Sequence, residues 1–191
     1  MNAYSLPTSL NIGGVDFAIR TDYRDVLNIL TACNDPEVPE EAKTIIMLMI
    51  LYEDYTKIPS ESIEEAAQKA CEFIDCGQKE NGKPHPKLID WEQDAGIIIP
   101  AVNKVTHMEV RAVQYMHWWT FFSYFMEVGE SLLGTVITYR SNRAKGKKKE
   151  KWEIEFYKEN KDLIEFKNKT KRSDEEKEEL RQLFGIAPAQ K

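Results

Sequence analysis

Apolar positions recur along this chain with two different periods. In "SLNIGGVDFAI" the period is two, and a Gly-Gly pair sits at its centre. Folding the stretch at Gly13-Gly14 sets Ile12 against Val15 and Leu10 against Phe17 on one face, the pattern of a tight β-hairpin. A lone hairpin is marginally stable, so this one is expected to lie on the helices beyond it. Thereafter the period becomes helical. Tyr23, Val26, Leu27 and Leu30 recur at i, i+3, i+4 and i+7, with Thr21 as the expected N-cap. A second helix is predicted over 40–55, and its middle, "IIMLMILY", is apolar all round and needs burial or a covering partner. Ser60 is the expected cap of a third helix through "ESIEEAAQKACEFIDC". The Gly/Pro-rich "GQKENGKPHPK" then reads as an exposed connection.

The next helix is predicted to open at Asp90, where "DWEQ" has the form of a capping box closed by Gln93. Its apolar pattern carries on through Val102 and Val105, so Pro100 predicts a kink within one helix. The aromatic stretch "YMHWWTFFSYFMEV" spans 115–128. On a helix Gln114, just before the stretch, and its polar members His117, Thr120, Ser123 and Glu127 form one stripe, and Trp118 and Trp119 point about 100° apart. They address different neighbours, as core residues of a central helix would. After Gly129 comes "SLLGTVITY", and then the character changes. The run "RAKGKKKEK" is strongly basic. "WEIEFYKENKDLIEFKNK" places Trp152, Phe156, Leu163 and Phe166 along one side. "SDEEKEELRQLF" carries a capping box at Ser173 and Glu176 and a stripe of Leu180, Leu183 and Phe184. The expected architecture is mainly α: a helical bundle with a short N-terminal β-hairpin over 1–140, and a basic linker with charged C-terminal helices over 141–191 as an appendage.

Composition narrows the setting. Hydrophobic residues make up 42% and charged residues 30%, with a net charge of -6 that is unlike the basic footprint of a nucleic-acid binder. The longest apolar run, Ile45 to Tyr52, is far short of the roughly 20 residues that cross a bilayer. The N-terminal stretch lacks the basic and apolar regions of a secretory signal. Cys33, Cys71 and Cys76 form an odd, sparse set, as reduced cytosolic thiols do.

Catalytic signatures are missing. No G-x-S-x-G, P-loop or G-x-G-x-x-G occurs, and His85, His107 and His117 lack the close spacing of metal ligands. No enzyme activity, metal or cofactor is expected. Asp90 and Asp94 share a helical side and offer a conceivable acid pair, but a cap and a structural hydrogen bond account for them better. The basic residues Arg143, Lys145, Lys147, Lys148, Lys149 and Lys151 could neutralise phosphates. With no interleaved aromatics, they read better as a solvated hinge.

Three stretches in order, "IDWEQDAGIIIPAVNKV", "YMHWWTFFSYFMEVGESLLGTVITYR" and "KWEIEFYKENKDLI", together with the hairpin and "TDYRDVL", resemble the bacteriophage gene-product-fifteen family of siphophage and prophage tail modules. The resemblance runs from about residue 4 to 165, and the sequence departs from it at Pro100. It implies a counterpart of the tail assembly chaperones, which keep the tape-measure protein soluble while tube subunits gather. The implied partners are the tape-measure protein and also tail-tube protein and another tail assembly chaperone, in the host bacterial cytoplasm, with no place in the mature virion. The family's hallmark residues that match are Asp90, Gln93, Asp94, His117, Trp118, Trp119 and Arg140, in structural or partner-binding roles; no catalytic residue is implied. Ile46, Met47, Met49 and Ile50 offer an adaptable apolar client surface if their helix is not wholly buried. A tail component retained in the virion is the alternative, and a DNA-associated protein a further one.

Overall fold

The computed structural model describes residues 5–78, 86–148 and 150–167. Lys149, residues 79–85 of the Gly/Pro-rich loop including His85, and the expected helix around Leu180, Leu183 and Phe184 lie outside these residues. The fold is mainly α, with seven α-helices and one two-stranded antiparallel hairpin among the described residues. The chain divides into two compact units.

The first unit holds β1 (Ser9–Ile12), β2 (Val15–Ala18), α1 (Tyr23–Cys33), α2 (Glu40–Leu51), α3 (Ile63–Ile74) and residues 117–119. The hairpin has the register its alternation predicts, Leu10 opposite Phe17 and Ile12 opposite Val15. Gly13 and Gly14 both take positive φ, 57° and 85°, as the two-residue turn requires. Leu10 and Ile12 are buried, contributing on the order of 1.5–3 kcal/mol each. Val15, at the tip, is exposed instead. The hairpin rests on α3, where the Gly13 N–H donates to Glu65 Oε2 at 3.1 Å. Val26, Ile29, Leu48, Leu51, Ala66, Ala70 and Phe73 fill the core of this unit.

The second unit holds α4 (Ala95–Thr106), most of α5 (Trp118–Met126), α6 (Leu132–Ala144) and α7 (Lys151–Ile164). Ile98, Val102, Val110, Phe121, Leu133, Val136, Tyr139 and Ile164 are buried here. Trp91 packs against Phe125 with ring centroids 4.9 Å apart.

Several boundaries differ from the expected ones, each for a physical reason. Asp22, not Thr21, caps α1, its carboxylate accepting from the Arg24 N–H. Helix α2 stops at Leu51 because Tyr52 turns extended to bridge Ile19. The Arg20 guanidinium then donates to the carbonyls of Met49, Ile50 and Tyr52, satisfying that helix end. Ser60 opens a short 3-10 turn, Ser60–Ser62, and α3 begins at Ile63. Residues 91–94 form a turn, so α4 starts at Ala95 rather than Asp90. It runs through Pro100 as one element. Pro100 and Gly96, whose carbonyl loses its donor, are both exposed, so water can take up the lost bond. Tyr115, Met116 and His117 precede the aromatic helix, which begins at Trp118. On α7 the buried residues are Glu153 and Ile164, while Trp152 of the expected apolar side is 41% exposed.

Candidate functional site

The seven hallmark residues gather into two nodes, one in each unit. In the first, His117 lies extended against Asp22, and the Trp118 N–H donates to Thr21 O at 2.7 Å. The His117 ring then opens α5. Its Nδ1 accepts from the Trp119 N–H at 3.0 Å, while Nε2 lies 3.0 Å from Pro7 O. A carbonyl oxygen can only accept, so Nε2 carries the proton and Nδ1 is free to act as a cap. Trp118 is buried and donates its indole N–H to Ile74 O at 2.8 Å. Trp119 is half-buried, donates to Phe73 O at 2.8 Å and stacks on the Phe73 ring. Both tryptophans thereby tie the last two residues of α3, whose carbonyls are unsatisfied within the helix.

The second node is ionic. Arg140, on α6, and Asp94, at the start of α4, form a buried pair with bonds of 2.6 and 3.0 Å. The remaining guanidinium bonds run to the carbonyls of Leu88, Leu163 and Ile164 at 2.7–2.9 Å. All five donors of the planar fork are thus used, which an ammonium could not reproduce. Two of these carbonyls belong to the C-terminal end of α7, where a cation is favoured. The guanidinium also lies 4.1 Å from the centroid of the Phe166 ring. Asp94 Oδ2 accepts from the Asp90 N–H, and Asp90 Oδ1 accepts from the N–H groups of Glu92 and Gln93.

Gln93 does not close a capping box. Its side-chain amide donates to Glu165 O and accepts from the Lys167 N–H, both at 2.8 Å, as a neighbouring strand would. Asp90, Gln93, Asp94 and Arg140 therefore clamp the chain where it leaves α7. In both nodes the hallmark side chains are engaged in internal hydrogen bonds. No cluster of ligating side chains able to hold a metal occurs among the described residues.

The expected client surface is only partly available. Ile46 and Met47 are buried and so withdrawn from it, Ile50 is half-buried, and Met49 is 40% exposed. Burial results from α2 packing on both α1 and α3. Of the basic residues, Lys145, Lys147, Lys148 and Lys151 are exposed. Arg143 pairs with Glu165, which holds the guanidinium pKa above its usual value and the carboxylate below its own. Arg143 also lies in the last turn of α6, where positive charge offsets the helix dipole.

Sequence reasoning did not anticipate a groove of roughly 750 Å³ in the second unit, lined by the 128–131 turn, by Gly134, Ile137 and Thr138 of α6, and by Trp152. Gly129, Ser131, Gly134 and Thr135 contribute small residues to its lining. A Cβ on Gly134 would meet Gly129 O at 2.6 Å, so the turn can approach the helix this closely only at glycine. The Trp152 indole is fixed on the wall by a 2.8 Å bond to Glu150 Oε2. Met126 and Leu132, which neighbour the turn in sequence, are 60% and 45% exposed. The signal in the sequence was the isolated Trp152 beside a charged run, but spacing placed it on a docking face.

A family model described as Bacteriophage Gp15 protein matches residues 3–166, and this chain belongs to that family. Membership points to a structural or morphogenetic protein of a bacteriophage. Neither the curated proteins nor the solved structures give a significant match. No described helix is long and apolar enough to cross a membrane.

Proposed function

We propose that this protein is a non-enzymatic tail assembly chaperone, binding and solubilising the tape-measure protein in the host cytoplasm and leaving before the virion is complete. Family membership supports the phage setting, and the groove beside Trp152 carries the client-binding part of the reading. A chaperone for a long helical client needs apolar surface that exists before the client arrives. Trp152 and Ile137 in the groove, with exposed Leu132 and Met126 next to its turn in sequence, supply such a surface, whereas the hallmark residues are consumed in holding the fold.

Co-expression with the neighbouring tape-measure gene, followed by affinity capture, tests this. Soluble tape measure is expected to elute with the wild-type protein and to fall several-fold with Trp152→Ala. Tape measure that stays equally insoluble with and without the protein would sink the reading. Finding the protein in purified virions would favour the structural alternative.

A further inference from the structure

The groove belongs to a surface that is complementary to itself. Gly129, Ser131, Gly134 and Thr135 leave room along α6, and Trp152 stands exposed beside that room. A large side chain and the space to receive one therefore share a single face. Charge is divided along the same helix, which is about 20 Å long. Before its first turn stand Glu127 and Glu130, both exposed, with Lys104 as the counter-charge, its Nζ held on the Glu130 carbonyl. Past its last turn stand Lys145, Lys147, Lys148 and Lys151, all exposed, with Glu150 as the acid among them. The Lys147 N–H donates to Asn142 O at 3.0 Å, which fixes the basic run at that helix end. Arg143 is already matched by Glu165. Thr138, exposed and on the groove, lies close to the midpoint between the acidic and basic ends.

We infer that a second copy of this chain packs on this face, the two α6 helices running antiparallel about a two-fold axis near Thr138. Such an axis brings position i of one copy to position j of the other, and j to i. The Glu127 and Glu130 end of each copy then meets the lysine end of the other, and each Trp152 lies against the other copy's groove. A parallel pairing would set like charges together, which opposes association. The face is a single helix long, smaller than a standard interface, so the dimer exchanges readily. If the groove also receives the tape-measure client, which rests on the chaperone reading, self-association keeps its apolar wall covered until the client is present.

The test uses the full chain alone, without client, so that its failure is separate from failure of the chaperone reading. Sedimentation equilibrium is run from micromolar to millimolar protein, at low and at high salt. The expected result is a monomer–dimer equilibrium that weakens several-fold in high salt, where exposed charges are screened. Reversing the acidic end with Glu127→Lys and Glu130→Lys should weaken the dimer about tenfold, and so should Lys147→Glu with Lys148→Glu. The two reversed proteins, when mixed, should form a heterodimer tighter than either forms alone, a gain that misfolded variants could not show. Thr138→Cys under mild oxidation should join position 138 of one copy to position 138 of the other, identified by peptide mapping. A monomer even at millimolar protein would leave the groove to a different protein and overturn the inference. A dimer indifferent to both reversals, or one in which position 138 fails to link, would put the contact on another face and overturn it as well.

Discussion

The two hallmark nodes hold the molecule by opposite means. Around His117, Trp118 and Trp119 the contacts are rings against rings, and the hydrogen bonds are neutral, from indole N–H groups to helix-end carbonyls. Around Asp94 and Arg140 the central contact is a buried ion pair whose guanidinium also serves three carbonyls. The first node gains from apolar burial and tolerates no loss of volume. The second has already borne the desolvation of two charges, so its stability depends on every partner being present. Aromatic volume and charge matching thus give two independent ways to break the same protein.

The largest effects should come from removing the centre of either node. Arg140→Ala leaves Asp94 buried and unpaired and is expected to cost about 3–5 kcal/mol in urea unfolding. Trp118→Ala should cost about 3–5 kcal/mol through the cavity it opens. A second substitution separates the two. Asp94→Leu added to Arg140→Met should recover much of the loss, because replacing both charges removes the orphan. No partner change should rescue Trp118→Ala. If the double variant is no more stable than Arg140→Ala, the ionic account of the second node is wrong.

An intermediate effect is expected at Gln93. Gln93→Leu removes two hydrogen bonds and should cost about 1–2 kcal/mol, with faster amide exchange at Lys167 as the local signature. Trp152→Ala, by contrast, should change stability by no more than about 0.5 kcal/mol. A large loss there would mean that the groove wall is part of the core.

The smallest effect concerns thiols. Burial pushes the Cys76 thiol from 9.0 up to about 12, while Cys71 is exposed. Alkylation at pH 8 should therefore modify Cys71 first and Cys76 last, as peptide mapping would read. The raised value also has a sign for stability. Its contribution is complete below pH 9 and is lost as pH rises towards 12, because the unfolded thiol ionises there while the folded one stays protonated. Cys76→Ala should flatten that alkaline decline.

Elements set by neighbours in the chain were legible in the sequence. Gly13-Gly14 fixed the hairpin register, and apolar pattern and cap signals located α1, α2 and α3 to within a turn or so. The resemblance carried by Asp90, Gln93, His117, Trp118, Trp119 and Arg140 named the right family. Bonds made across long separations could not be read. Tyr52 has helical neighbours, yet it leaves α2 for a strand-like bridge to Ile19. Gln93 sits where a capping box wants it, yet its amide is taken by residues more than seventy positions away. Arg20 carries no local signal, since its role exists only once the end of α2 lies beside it. The groove was hidden for the same reason: Gly129, Gly134 and Trp152 have nothing in common until α7 packs on α6.

The clamp on the end of α7 has a consequence for how this stretch can drift. Arg140 and Gln93 address peptide groups at Leu163, Ile164, Glu165 and Lys167, not the side chains those residues carry. Main-chain grips are blind to spelling. Position 167 should accept almost any residue except proline, whose missing N–H would empty half of the Gln93 grip. Phe166, read by its ring, should resist exchange. In a library randomised over 165–167, the surviving variants would vary at the last position and keep an aromatic in the middle.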